Sequence, residues 1–342
     1  MVTIKDVARD AGVSVGTVSN VLNGGRVSEA RRKLVEASIE KLGYQVNTLA
    51  KGMRMQKTDY VVVILPNLIN PYFALLLDAL ESELSAVGKQ VLLCLSGDDA
   101  EREVAFMDMA KQNKVDGIIG VTYSKVEEER TENMAFVSID RHYKSHIPCV
   151  AGDNWQGGWL AAENLHKRGS TNLLCFMTMS SVDSEVRKRR VGFTEYCMEH
   201  DLSCNSVEMS EKQIVSVYES YGSRKLIHNM LRAYISPSMG EHSIDGIFTS
   251  SDHLATIVQE ELEEMGKRVP EDIQIIGYDG LQFLNQGKPI VSSIAQPVHE
   301  IAKEAVRCLN ELIANGKTEG NTKIPVSFQE GPTTKTLVTE EK

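Results

Sequence analysis

The sequence predicts two parts: an all-α helix-turn-helix headpiece, then an α/β body of two lobes, each a doubly wound parallel sheet. Three observations predict this. Thr3 to Asn23 reads as two short helices around a glycine. From Asp59 onward, near-continuous apolar strands alternate with helices. The charge also changes sign: residues 1–57 carry ten Lys/Arg against five Asp/Glu, and the remainder 27 against 42.

In the headpiece, Ile4, Val7 and Ala8 recur at helical spacing, and Gly12 stands where a left-handed C′ residue ends the helix. Ser14 is the next N-cap, and Val15, Val18, Val21 and Leu22 form the second apolar stripe. That leaves Thr17, Ser19 and Asn20 on an outer face. A third helix spans 27–43, with Ser28 as N-cap, Leu34, Val35, Ile39 and Leu42 as its apolar face, and Gly43 as its stop. Arg31, Arg32 and Lys33 in its first turns oppose the helix dipole, so an external anion such as a phosphate is a reasonable partner.

Residues 47–58 read as a linker. The body then runs as strand 60–66, helix 71–87, strand 90–96, helix 100–113, strands 116–121, 135–140 and 147–153, and helix 154–168. A second series has strand 172–177, helix 184–201, an unassigned stretch near 205–220, helix 222–234, strand 245–251, helix 252–266 and strand 273–279. Two series of similar size mean two lobes, expected at 59–167 plus 295–320 and at 168–294 plus 321–336. In such folds a ligand sits at the carboxyl ends of strands.

Composition narrows the function. Apolar content of 42% excludes wholesale disorder. No apolar run reaches membrane-spanning length, and the charged N-terminus lacks a signal-peptide core, so a cytoplasmic protein is expected. Six scattered cysteines without a CxxC pair read as reduced thiols, and eight histidines without HExxH spacing offer no catalytic metal site. No P-loop, no GxGxxG after a strand and no paired nucleophile and base support an enzyme; catalytic residues are expected to be none.

The run Thr3-Ile4, Asp6-Val7-Ala8, Ala11-Gly12-Val13-Ser14, Thr17-Val18-Ser19, Val21-Leu22-Asn23, Val27-Ser28, Arg32 and Leu42-Gly43-Tyr44 resembles the headpiece of the lac repressor (LacI/GalR) family of bacterial transcription regulators. The body resembles the same family and, through it, periplasmic sugar-binding proteins. The matching motifs are Asn70-Pro71-Tyr72-Phe73, Asp153-Asn154 with Gly157-Gly158, Arg189 with Gly192-Phe193, Ser251-Asp252, Val269-Pro270-Glu271-Asp272-Ile273, Gly277-Tyr278-Asp279 and Gln296-Pro297. The resemblance implies a periplasmic-binding-protein-like body with a late crossover between lobes at Gln296-Pro297.

It also implies site residues. Val15, Gly16 and Asn20 take base-facing positions, where Asn can bond adenine and Val can pack on a thymine methyl. Thr17 and Ser19 contact phosphate, and Thr3, Ser14, Asn23 and Arg32 belong to the same DNA surface. The linker becomes a hinge helix ordered on DNA, with Asn47, Ala50, Lys51, Met53 and Arg54 in contact and Met53 as an apolar wedge in the minor groove. In the body, Asn67, Asp153, Asp252, Asp279 and Arg189 follow strands; carboxylates accept hydroxyl protons and Arg donates a planar fork. The resemblance places Asp153, Arg189, Ser251 and Asp279 at effector contacts. Tyr72, Phe73 and Trp155 supply an aromatic wall, although Trp155 equally suits core packing. Asp252 is expected to cap its helix and bond to backbone, and Asp272 to hold a turn.

The expected protein is an allosteric repressor, a homodimer on pseudo-palindromic operator DNA, controlled by a small effector and needing no cofactor or membrane. A sugar or sugar phosphate is the expected effector, with a purine as an alternative. A sugar-binding transport receptor is the runner-up, against which the N-terminal head argues. The tail has no heptad run, which favours a dimer over a tetramer.

Overall fold

The computed structural model describes residues 2–22, 24–44, 58–97, 99–122, 134–143, 147–179, 184–210, 213, 224–235, 243–282 and 286–337. The chain divides into two compact units, Met1–Thr58 and Asp59–Lys342.

The first unit contains α1 (Ile4–Asp10), α2 (Val15–Leu22) and α3 (Glu29–Leu42). The Asp6 carboxylate starts α1 by accepting from the Thr3 backbone N–H (3.0 Å) and hydroxyl (2.7 Å). Gly12 stops it at φ +64°, and the Val13 N–H reaches back to the Ala8 carbonyl (3.0 Å). The Ser14 hydroxyl oxygen accepts from the Thr17 N–H at 3.1 Å. Val7, Ala8, Ala11, Val18, Val21 and Val35 meet in one small core. Two expectations for α3 change. Leu34 is 55% exposed, because the neighbouring Val35 takes the inward position. Ser28 occupies the N-cap position, but its side chain makes no capping bond.

In the second unit the elements are β1 (Tyr60–Leu65), α4 (Pro71–Ala86), β2 (Gln90–Leu95), α5 (Ala100–Gln112), β3 (Gly117–Gly120), β4 (Phe136–Ile139) and β5 (Cys149–Gly152). They are followed by α6 (Asn154–Lys167), β6 (Asn172–Met179), α7 (Arg187–Glu199), β7 (Ser203–Ser210), α8 (Arg224–Ile235), β8 (Gly246–Thr249) and α9 (Asp252–Glu264). The last are β9 (Gln274–Asp279), β10 (Ser292–Ala295), α10 (Val298–Asn315), β11 (Thr322–Ile324) and β12 (Ser327–Gln329). Two six-stranded sheets result, ordered β11-β5-β4-β3-β1-β2 and β12-β10-β9-β8-β6-β7. Among the described residues, every paired strand is parallel except β12 on β10.

Alternation explains the layers. Val61, Val63 and Leu65 of β1 face Leu76, Leu80, Ile301 and Leu309, whereas Val62 and Ile64 face Met107, Ala110 and Phe136. In the second lobe, Leu174 and Phe176 face α8 and α9, while Leu173, Cys175 and Met177 face α6 and α7. Four strands escaped the sequence reading. β7, β11 and β12 are polar, partly exposed edges, and serines interrupt β10.

The lobe boundaries also shift. Helix α6, expected to close the first lobe, packs in the second against β6 and α7 through Ala161, Ala162 and Leu165. Strand β11, expected in the second lobe, pairs with β5 in the first. The chain therefore crosses between lobes at 152–154, 296–297 and 325–326. The first and last of these are bonded together: the Asp153 N–H donates to the Ile324 carbonyl (2.7 Å), and the Val326 N–H to the Gln156 side-chain oxygen (3.0 Å).

Candidate functional site

The head presents α2 outward. Val15 is 36% exposed, Gly16 and Asn20 are exposed, and Thr17 and Ser19 are half-buried. Arg31 and Lys33 are exposed, whereas Arg32 donates its guanidinium to the Gly25 carbonyl at 3.2 Å. Thr3 and Ser14 hold the starts of α1 and α2. Asn23, Asn47, Ala50, Lys51, Met53 and Arg54 lie outside the described residues.

Between the lobes, Asp140 follows β4 and Asp279 ends β9. Both are held in left-handed backbone, at φ +60° and φ +116°, which costs about 1–3 kcal/mol at each and is tolerated better by Asp than by most residues. Arg189, at the start of α7, is 4% exposed. Its Nε donates to Asn154 Oδ1 (2.6 Å), its Nη1 to the Ser250 carbonyl (2.7 Å), and its Cζ lies 3.5 Å from the centre of the Tyr278 ring. Asn154 in turn donates to the Gly152 carbonyl (2.9 Å) and, at 3.4 Å, to Asp140 Oδ1. From the first lobe, the Tyr72 hydroxyl donates to Gln296 Oε1 (3.4 Å), and Gln296 Nε2 donates to Asp279 Oδ1 (2.9 Å). Asp279 Oδ2 and the Tyr278 hydroxyl are buried and accept or donate no hydrogen bond.

A second contact joins the lobes beside this one. The Glu185 N–H donates to the Asp140 carbonyl (2.8 Å), Arg141 and Ser184 form an antiparallel bridge, and Glu185 pairs with His142 and Lys188. Burial raises the Glu185 carboxyl, but the bonds from Lys188 and His142 outweigh it and leave it below its usual range.

Of the residues expected in the cleft, the fold brings together Tyr72, Arg189 and Asp279. Phe73 packs into the first-lobe core, edge-on to Tyr72 with ring centres 5.6 Å apart. The remaining four make bonds within the protein. Asn67 Oδ1 accepts from the Ile69 and Asn70 N–H groups (3.0 and 3.1 Å), Asp153 Oδ1 caps α6 at Gln156 (3.0 Å), and Ser251 Oγ caps α9 at Leu254 (3.1 Å). Trp155 stacks on Trp159 and donates its indole N–H to Glu195 (2.6 Å). Asp252 bonds to backbone as expected, accepting from the Leu281 N–H (2.7 Å) and also from the Ser293 hydroxyl (2.6 Å), but the cap of α9 is Ser251. Asp272 holds its turn, accepting from the Arg268 N–H (2.9 Å) and guanidinium. Sequence reasoning missed Asp140, Asn154, Tyr278 and Gln296. A signal existed for Asp140: it follows a buried strand and precedes no helix, so no helix start claims its carboxylate.

Burial pushes the Asp279 carboxyl up to about 7, against the opposing pull of Arg189 and Gln296. Burial likewise raises Asp140. Between about pH 4, where an unfolded Asp releases its proton, and about pH 7, the folded chain retains a proton on Asp279 that the unfolded chain has lost. Stability from this group therefore falls as pH rises through that window. Asp279→Asn should flatten the slope: from about pH 5 to about pH 7 the parent should lose on the order of 2 kcal/mol more than the variant in urea unfolding. Parallel profiles would show that Asp279 ionises normally.

With this geometry in place, the comparisons are specific. Residues 3–47 match the family model for bacterial regulatory proteins of the lacI family, and residues 162–334 match that for the periplasmic binding protein-like domain. The sucrose operon repressor of Pediococcus pentosaceus is 32% identical over 332 residues, covering 96% of this chain and 98% of its own. The ribose operon repressor of Halalkalibacterium halodurans (strain C-125) is 32% identical, covering 90% of this chain and 89% of its own. The fold superposes on the lac repressor dimer bound to operator and the anti-inducer ONPF with a TM-score of 0.79, at 22% identity, over 97% of this chain and 98% of that one. A helix-turn-helix head, a two-sheet body and full-length relatives of this kind lead to one conclusion: the chain belongs to the lacI family of bacterial regulatory proteins, and it is a DNA-binding transcriptional regulator.

Proposed function

We propose that the protein is a cytoplasmic repressor that grips a pseudo-palindromic operator as a homodimer, and that a small sugar between its lobes sets the operator affinity. The observation that carries the sugar reading is the buried Asp279 Oδ2, which makes no well-formed hydrogen bond where the lobes meet beside buried Arg189, Asp140 and Tyr72. A buried carboxyl oxygen without a partner costs about 1–3 kcal/mol, and a sugar hydroxyl can accept from it when it is protonated or donate to it when it is ionised. The sucrose and ribose repressors among its relatives favour the same class. No cofactor and no catalysis enter this reading. Among the described residues no helix is long and apolar enough to cross a membrane.

Control needs two arrangements of the lobes with different affinity for the effector, because a ligand shifts only an equilibrium it discriminates. The Glu185–Asp140 and Tyr72–Gln296–Asp279 links are contacts that such a change would make or break. The test is a thermal-shift and calorimetric panel of pentoses, hexoses, disaccharides, their phosphates and purines, beside operator binding by mobility shift. One sugar should raise the melting temperature and change operator affinity by at least about 5-fold, the low end of ordinary allosteric coupling. Response to a purine alone would overturn the sugar reading, and equal binding to palindromic and scrambled duplexes would overturn the operator reading.

A further inference from the structure

Three sulfurs converge on the face of the second sheet that α6 and α7 cover. Cys175 lies on β6, Cys197 on α7 and Cys204 on β7, and all three belong to the core that packs α6 and α7 on that sheet. The strand register explains the convergence. Cys204 stands opposite Leu173, and Leu173 and Cys175, two residues apart, share one face of β6. Helix α7 ends at Glu199, a short turn through Asp201 (φ +54°) follows, and β7 begins at Ser203. That turn returns Cys204 under Cys197, close enough for the two thiols to interact, and the Cys204 Sγ also approaches the Asn205 carbonyl (3.8 Å). Cys197 is fully buried and Cys204 is half-buried, so one sulfur of the pair is reachable from solvent.

We propose that Cys197 and Cys204 form a reversible redox site oxidised by small hydroperoxides. The Cys204 thiolate attacks one peroxide oxygen, the O–O bond breaks, and water leaves from hydrogen peroxide, giving a sulfenic acid on Cys204. The Cys197 thiol then attacks that sulfur, a second water leaves, and the Cys197–Cys204 disulfide remains; the two thiols have lost two electrons to one peroxide. A dithiol reductant reverses it. The division of labour has a physical basis. The interaction with Cys197 holds the Cys204 thiol below its ordinary range, and burial pushes Cys175 well above it, so Cys175 stays a passive neighbour. Disulfides in reducing compartments are usually transient and redox-sensing, which fits a half-exposed pair in contact. The bond would staple the end of α7 to β7, in the helix that carries Arg189 at its other end.

The experiment uses the reduced full-length chain, treated with hydrogen peroxide, alkylated and mapped by non-reducing peptide mass spectrometry. The expected result is one Cys197–Cys204 linkage, two of the six thiols lost to titration and both restored by dithiothreitol. Cys175→Ser should leave the linkage intact, whereas Cys197→Ser should leave Cys204 as a sulfenic acid that dimedone labels. A Cys175–Cys204 linkage, or six titratable thiols after treatment, would overturn the proposal. Because the first readout is on the parent chain, a variant that fails to fold does not leave the question open.

Discussion

Replacing Gly158 with alanine should destabilise the body more than any other one-carbon change. A Cβ at Gly158 would lie 1.8 Å from the Arg189 carbonyl oxygen and 2.8 Å from the Phe193 nitrogen. Across the same contact, a Cβ at Gly192 would lie 2.0 Å from the Trp155 carbonyl oxygen. These are backbone atoms of the facing helix, so no side-chain rotation relieves the clash; α6 and α7 must move apart along their length. Overpacking a core costs about 1–3 kcal/mol when side chains can adjust, and a backbone obstacle puts this change at about 3 kcal/mol or more. Urea unfolding should give a lower midpoint at unchanged slope. Gly320→Ala, where the new methyl meets nothing within 4 Å, is the control and should match the parent. Equal midpoints for all three would mean that the helices do not meet at Gly158.

Arg189→Met should abolish the effector response and leave effector-free operator binding within about 2-fold. Methionine retains much of the stem's packing but removes the donors to Asn154 and to the Ser250 carbonyl and the charge over Tyr278. Bonds to charged groups contribute about 1.5–3 kcal/mol each, so losing two or more ligand-orienting contacts should weaken effector binding at least about 100-fold. Arg189→Lys should recover little, because a point charge cannot donate from two nitrogens in one plane. Calorimetry with the sugar identified by the panel, beside mobility shift, checks both halves. A retained response would remove Arg189 from the effector site; a parallel loss of operator binding would make its role structural.

Much of this was legible in the sequence, for identifiable reasons. Gly12 and Gly43 mark helix ends because the left-handed turn they permit is local chemistry, and β1, β3 and β9 are apolar enough to be seen as buried strands. Lobe membership was not legible for α6, because its sequence shows an apolar face but not which sheet that face covers. The cleft aspartates were confounded for a related reason. Asp153 and Asp140 both follow buried strands, but the helix after Asp153 takes its carboxylate, whereas Asp140 is left facing Asn154. Trp155 suited an aromatic wall and core packing equally, and in the fold its indole stacks on Trp159 and donates to Glu195. The thiol pair was invisible because β7 itself was not recognised.

The three crossings between the lobes limit how the body tolerates truncation. Its last two strands, β11 and β12, are separated by only two residues, and each closes the edge of a different sheet. A premature stop codon near position 320 would therefore strip both halves at once, exposing β5 in one and β10 in the other. Neither half can be excised as one contiguous fragment, so the gene cannot donate a single lobe by simple recombination.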